Sequence, residues 1–169
     1  MRAEDDCAAV VAAPGFALGL VIAGNMLGRI DFLPAGAARR GEHPVAQRAF
    51  DQLQAYLADA TCGFELPLAL AGSPHQLAVW QAMRDIPCGE TTSYGEIARR
   101  VGSSARAVGA ACGANPLPVL IPCHRVIAAG GRLGGFAHAR DGFLIDIKRW
   151  LLAHEARAKG FMGDARALS

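Results

Sequence analysis

Long apolar runs are missing from these 169 residues: none reaches the roughly 18 that a membrane span requires. The start, Met1-Arg2-Ala3-Glu4-Asp5-Asp6, is acidic where a secretory leader needs a basic segment. Both absences predict a soluble, cytoplasmic protein with no membrane partner. The five cysteines (Cys7, Cys62, Cys88, Cys112, Cys123) include no CxxC pair, and an odd number fits a reducing compartment better than a disulfide framework. Cys7, Cys62, His43 and His75 lack metal-ligand spacing, so no metal is expected. Internal repeats and low-complexity tracts are also missing. With 52% apolar and 19% charged residues, the chain can bury a core as one globular unit or two small ones.

A net charge of +2 names no partner, but its distribution is uneven. Residues 1–75 carry 5 basic against 8 acidic side chains, and residues 76–169 carry 12 against 7. Arg99, Arg100, Arg106, Arg125, Arg132 and Arg140 lie in a stretch with no Asp or Glu. A surface facing a polyanion requires such an excess, and a solvated basic face would have it too.

The pattern divides near residue 72. Phe16 to Ala23 and Leu27 to Leu33 read as strands joined at Gly24-Asn25, a two-residue hairpin signal. Val45, Ala49, Leu53, Tyr56 and Leu57 have helical spacing up to Thr61-Cys62-Gly63, and Phe64 to Leu70 reads as a further strand. Residues 1–71 are expected to form a small α/β domain. Ser73-Pro74-His75-Gln76 combines a cap, a first-turn proline and a capping-box Gln ahead of Leu77, Trp80 and Met83. Ser93-Tyr94-Gly95-Glu96 reads as another capping box, opening a helix that Gly102 ends, and Ser103 or Ser104 caps a third helix to about Cys112. Two short helices across a glycine turn predict helix-turn-helix over residues 72–160, and residues 161–169 read as a disordered tail.

The third helix carries one long polar side chain, Arg106, among small residues. It lacks the set of base-reading side chains that a sequence-specific helix needs. A smooth helix can approach a groove closely with Arg106 as a probe, or it can be an ordinary packed helix with a surface Arg.

The reactive candidates cluster in Ile121-Pro122-Cys123-His124-Arg125-Val126-Ile127. A Cys in an apolar run is often a small buried hydrophobe. Here inert burial would draw His124 and Arg125 inward, which is costly unless both are paired. A free thiol has a pKa of about 8.5 and needs a base or positive field to act as a nucleophile. Read as an extended segment, consecutive side chains point to opposite faces, so His124 would reach the sulfur through a water.

This block resembles the active-site signature of the O6-alkylguanine-DNA alkyltransferases, also called methylated-DNA–protein-cysteine methyltransferases. The likeness runs from about Ser73 to Glu155 and includes Val79-Trp80-Gln81-Ala82, Ile86-Pro87-Cys88-Gly89-Glu90-Thr91, Ser93-Tyr94-Gly95-Glu96-Ile97-Ala98, Arg106-Ala107-Val108-Gly109-Ala110 and Gly113-Ala114-Asn115-Pro116. The resemblance implies an α/β N-terminal ribonuclease-H-like domain and a mainly helical, winged helix-turn-helix C-terminal domain. It implies a monomer that needs no cofactor and acts once on alkylated double-stranded DNA, moving the alkyl group from O6-alkylguanine, with O4-alkylthymine as a further candidate, to Cys123. In that scheme His124 activates the thiol through water, Glu155 orients His124, and Tyr94 donates to the departing base. Arg106 replaces the flipped nucleotide, Gly95 and Tyr94 meet DNA, and Asn115 is a hinge. Cys123, Val126 and Tyr94 line the base pocket. A non-enzymatic alkyl-DNA sensor and a helix-turn-helix transcription regulator are the alternatives; sensors replace the nucleophile that Cys123 would be. His75 stands where bacterial relatives usually place an aromatic. Ala137 and His138 stand where many carry a small hydroxyl residue, in a longer segment, Phe136 to Lys148, that departs from the commonest pocket-lining form.

Overall fold

The computed structural model describes residues 5–136, 139 and 141–167, and of residues 161–167 the backbone only. Ala137, His138 and Arg140, singled out above, lie outside the described residues. The chain divides into two compact units, Met1–Leu70 and Ala71–Ser169. No described helix is long and apolar enough to cross a membrane.

The first unit is a three-stranded antiparallel sheet in the order β1 (Ala9–Ala13), β2 (Phe16–Ala23), β3 (Met26–Pro34), followed by α1 (Pro44–Ala58). Gly24-Asn25 makes the predicted hairpin, with Ala23 opposite Met26 and Gly24 at φ 61, the first central position that a type II′ turn reserves for glycine. Helix α1 starts at His43, whose Nδ1 accepts the Val45 N–H at 3.1 Å, and buries Val45, Ala46, Ala49, Phe50, Leu53 and Tyr56 along one stripe. That stripe packs on all three strands.

Two readings of this unit need correction. The strand β1 escaped the sequence pattern, because Ala9–Ala13 is short and lacks alternation. The expected strand over 64–70 is only an isolated parallel bridge between Leu27 and Leu68, made by Leu27 N–H to Pro67 O at 2.8 Å and Ala69 N–H to Leu27 O at 2.9 Å. Pro67 has no N–H to extend the ladder.

The second unit is mainly helical: α2 (Pro74–Arg84), β4 (Thr92–Ser93), α3 (Tyr94–Val101), α4 (Ala105–Gly113), β5 (Val126–Ile127) and α5 (Phe143–Ala167). The Ser73 box closes in both directions, with Gln76 N–H on Ser73 Oγ at 3.1 Å and Ser73 N–H on Gln76 Oε1 at 3.0 Å. At Ser93 only half of the expected box forms. Ser93 Oγ takes the Glu96 N–H at 3.0 Å, but the Glu96 carboxylate turns to Arg99, one turn on. Gly102 ends α3, and Ser104 caps α4 through the Ala107 N–H. Trp80 Nε1–H donates to Ala111 O at 2.9 Å, tying α2 to α4 through the core.

Two further expectations change. Residues 123–125 form a single 3-10 turn, not an extended segment. The stretch from 161, read as a disordered tail, continues α5 through Ala167, in keeping with its alanine content and lack of proline.

Candidate functional site

The chain after α4 is held by its own side chains and turns. Asn115 Oδ1 accepts the Leu117 N–H at 2.9 Å, while Asn115 Nδ2 donates to Ile121 O at 2.8 Å. Ile121 N–H returns to Leu117 O at 2.9 Å. Closing so short a loop leaves Val119 at φ 75, the one non-glycine left-handed residue among those described, although it is β-branched and buried. Such a conformation costs roughly 1–3 kcal/mol and persists only where its surroundings enforce it. The chain then tightens into the 3-10 turn of Cys123, His124 and Arg125, and Val126 and Ile127 pair in parallel with Thr92 and Ser93. That pairing sets Tyr94, the next residue on β4's side, beside the cysteine.

Cys123 and Tyr94 share a cavity of about 450 Å³ whose wall also includes Arg106, Cys112, Gly135 and Phe136. Arg106 is exposed and projects from the first turn of α4. Tyr94 O–H donates to Gly135 O at 3.2 Å. At Gly134, φ is 71 and an added Cβ would stand 3.1 Å from the Tyr94 ring, so only glycine lets the wall approach the phenol this closely.

His124 is wholly buried, as is Glu155, and His124 Nε2 lies 2.7 Å from Glu155 Oε2. A carboxylate can only accept, so Nε2 carries the proton and Nδ1 presents a lone pair. Nδ1 makes no hydrogen bond among the described residues. Arg125 Nε donates to Glu155 Oε1 at 2.8 Å and Nη2 to Oε2 at 3.0 Å, while Nη1 donates to Ile86 O at 2.7 Å. The burial cost anticipated for His124 and Arg125 is therefore met by pairing both with one carboxylate on α5.

Burial dominates the protonation states. It pushes the Cys123 thiol up to about 11, against the lowering effects of the Asn115 side chain and the Lys148 charge. It likewise lifts Tyr94 to about 12, so the phenol keeps its proton and remains a donor. His124 is lowered by burial, opposed by its Glu155 hydrogen bond, and is neutral at physiological pH. The resting site thus holds a protonated thiol, a protonated phenol and a neutral imidazole with a free lone pair. Attack by Cys123 requires the thiol to lose its proton during the reaction.

Of the residues singled out in the sequence, Cys123, Tyr94 and Arg106 meet at the cavity, His124 and Glu155 are hydrogen-bonded, and Asn115 braces the segment leading to Cys123. Gly95 and Val126 are not in the cavity wall among the described residues. Gly95 is half-buried in the first turn of α3, and Val126 is fully buried. The Cys123 carbonyl accepts the Val126 N–H, and the Val126 carbonyl accepts from Lys148, so each keeps one lone pair for another donor.

Lys148 was missed from sequence. Its side chain is fully buried and Nζ donates to Val126 O at 2.7 Å and Gly135 O at 2.9 Å, lying 5.9 Å from the Tyr94 ring centre. Arg125 appeared as part of a basic stretch and as a burial cost, and its fork on Glu155 was not foreseen. The available signal was spacing: Ile145, Lys148, Leu151 and Glu155 lie on one buried stripe of α5, so two charged residues fall where apolar ones are expected.

A family profile described as "6-O-methylguanine DNA methyltransferase, DNA binding domain" matches residues 74–157. A methylated-DNA--protein-cysteine methyltransferase of Mycolicibacterium paratuberculosis is 49% identical over 111 residues, covering 64% of this chain and 64% of that protein. One from Methanosarcina acetivorans is 44% identical over 111 residues, covering 64% and 68% respectively. The matched stretch thus spans about two thirds of these relatives' lengths. Among solved structures, Mycobacterium tuberculosis OGT in complex with DNA superposes with a TM-score of 0.75 at 39% identity, covering 88% of this chain and 92% of that one.

Proposed function

The chain belongs to the 6-O-methylguanine DNA methyltransferase, or methylated-DNA–protein-cysteine methyltransferase, family, and from that membership we propose that it repairs DNA by moving the alkyl group of O6-alkylguanine onto its own Cys123, once per molecule. The observation that carries this reading is the cavity in which Cys123 and Tyr94 meet, backed by the His124–Glu155 pair. An inert cysteine, as a simple helix-turn-helix regulator would have, needs neither a cavity nor a buried base behind it.

The chemistry follows from the protonation states. The thiol proton passes through a water to the bare Nδ1 of His124, the sulfur attacks the alkyl carbon in line, and the carbon–O6 bond breaks. Tyr94 neutralises the ring nitrogen of the departing base, and in the net balance the thiol's proton ends on guanine. The product is a thioether with no acidic leaving group, so Cys123 stays alkylated. In the same reading the first unit is the ribonuclease-H-like domain and the second a winged helix-turn-helix. The substrate is double-stranded DNA, its alkylated nucleotide turned out of the stack with Arg106 in its place and Asn115 serving as hinge. Gly95 lies at the DNA surface, and the spare lone pairs of the Cys123 and Val126 carbonyls hold the guanine edge. The protein works as a monomer without a cofactor, and O4-alkylthymine is a second candidate substrate.

Intact mass after incubation with a duplex containing O6-methylguanine tests the reading. One methyl group should be gained per chain, on Cys123, and Cys123→Ser should abolish transfer while retaining DNA binding. Methylation at Cys88 or Cys112 would overturn it.

A further inference from the structure

Arg125 occupies both oxygens of Glu155, and it does so out of solvent: its own side chain is 12% exposed and that of Glu155 is 1% exposed. His124 Nε2 meets the same carboxylate at Oε2, 2.7 Å away. A buried carboxylate that meets an imidazole without a guanidinium beside it has two ways to relieve its charge. It can take up a proton itself, or it can draw a second proton onto the imidazole. The first removes the acceptor that fixes the His124 tautomer. The second puts a proton on Nδ1, and an imidazolium cannot accept another from a thiol. A guanidinium fork on both oxygens blocks both outcomes, because it matches the charge and fixes the plane of the carboxylate.

We propose that Arg125 is a positioning residue for the transfer: by holding both oxygens of Glu155 it restricts that carboxylate to accepting the Nε2–H of a neutral His124, so that Nδ1 stays bare as the proton acceptor. This rests on the reading of Cys123 as the alkyl acceptor. The charged and titratable groups around His124 are Glu155 and Lys148 from α5, Arg125 beside it and Cys123 before it. Glu155 favours the protonated ring, whereas Arg125 and Lys148 oppose it in addition to burial. Loss of the Arg125 charge therefore raises the proton affinity of His124. Lysine at this position would keep a charge but could not fork across two oxygens or reach Ile86 O with a third donor.

The test uses the full chain and two measurements: a pH titration of the His124 ring by nuclear magnetic resonance, and the pH profile of single-turnover transfer from an O6-methylguanine duplex. In Arg125→Gln the His124 midpoint should rise by about one pH unit or more, which is a tenfold change in proton affinity. The acid limb of the transfer rate should move with it, so that the loss is about tenfold or greater on the acid side and narrows as pH rises. Arg125→Lys should leave the midpoint near wild type and lower the rate evenly across pH. In the double variant Arg125→Gln/Glu155→Gln the carboxylate's pull is gone too, and the midpoint should fall back. A rate loss in Arg125→Gln that is uniform across pH, with an unmoved His124 midpoint, overturns the proposal. Should Arg125→Gln fail to fold, the other two variants decide: a raised His124 midpoint in either one overturns it. Wild-type protein that transfers nothing would instead overturn the alkyl-acceptor reading, and the His124 titrations would still report on Arg125.

Discussion

Lys148 Nζ stands 2.7 Å from the carbonyl of Val126, the third residue after the candidate nucleophile, with its side chain fully out of solvent. Burial lowers this ammonium to about 8, partly offset by the nearby Cys123 and Cys112. An unfolded lysine titrates at 10.5, so between about pH 8 and that value the unfolded chain holds more protons than the folded one. Stability therefore rises with pH across that window as the cost of the buried charge disappears. Lys148→Met has no such group to titrate. Thermal unfolding of both proteins from neutral pH upward should show a rise attributable to Lys148 in the wild type alone. The raised thiols of Cys123 and Cys112 act in the opposite sense above pH 9, but they are present in both proteins. Parallel curves for the two proteins would mean that Lys148 does not carry a depressed pKa.

The second expectation concerns Glu155. Replacing it by glutamine keeps its size but gives Arg125 and His124 an amide in place of a carboxylate, leaving a part-buried guanidinium without this counter-charge. If the pair serves the thiol, Glu155→Gln should slow transfer by about a hundredfold, the lower end of what a general base contributes. Duplex affinity should change only a few-fold. Equal losses in rate and affinity would assign Glu155 a purely structural role.

Caps and turns were legible because they are local. Ser73 with Gln76 specifies its own hydrogen bonds within one turn of chain, and Gly24-Asn25 sets the hairpin whatever lies around it. Cys123 and His124 stood out locally as a thiol beside a base, but Glu155 was legible through the resemblance alone, since its partnership with His124 spans 31 residues of sequence. What failed depended on tertiary context. The turn at Cys123 is fixed by Asn115 reaching over to Ile121, a contact between residues that are each ordinary in sequence. Lys148 sits on a helix where lysines usually face water, and the carbonyls of Val126 and Gly135 take its ammonium inside. The box at Ser93 closed halfway because Arg99 competes for Glu96, a competition that the motif does not encode.

The last expectation concerns Arg106, which is exposed at the start of α4, lines the mouth of the cavity and makes no hydrogen bond or ion pair among the described residues. Its neighbours on the helix, Ala105, Ala107, Gly109 and Ala110, are small, so α4 can approach a duplex closely while only this side chain extends beyond it. Two jobs would suit such a residue. It could fill the gap left by a flipped nucleotide, which exists only in a duplex, or it could attract phosphates without regard to the base. The two differ in substrate dependence. If Arg106 fills the gap, Arg106→Ala should cut transfer from duplex DNA by tenfold or more, the cost of roughly 1.4 kcal/mol of lost stabilisation. Reaction with the free base O6-benzylguanine should stay near wild type, because a free base leaves no gap behind. Phosphate attraction would instead weaken binding to all duplexes alike and reduce the salt slope by about one. Rates on duplex and free base, measured for this one variant at several salt concentrations, separate the cases. If both substrates slow by the same factor, Arg106 serves the cavity itself, and the gap-filling role is wrong.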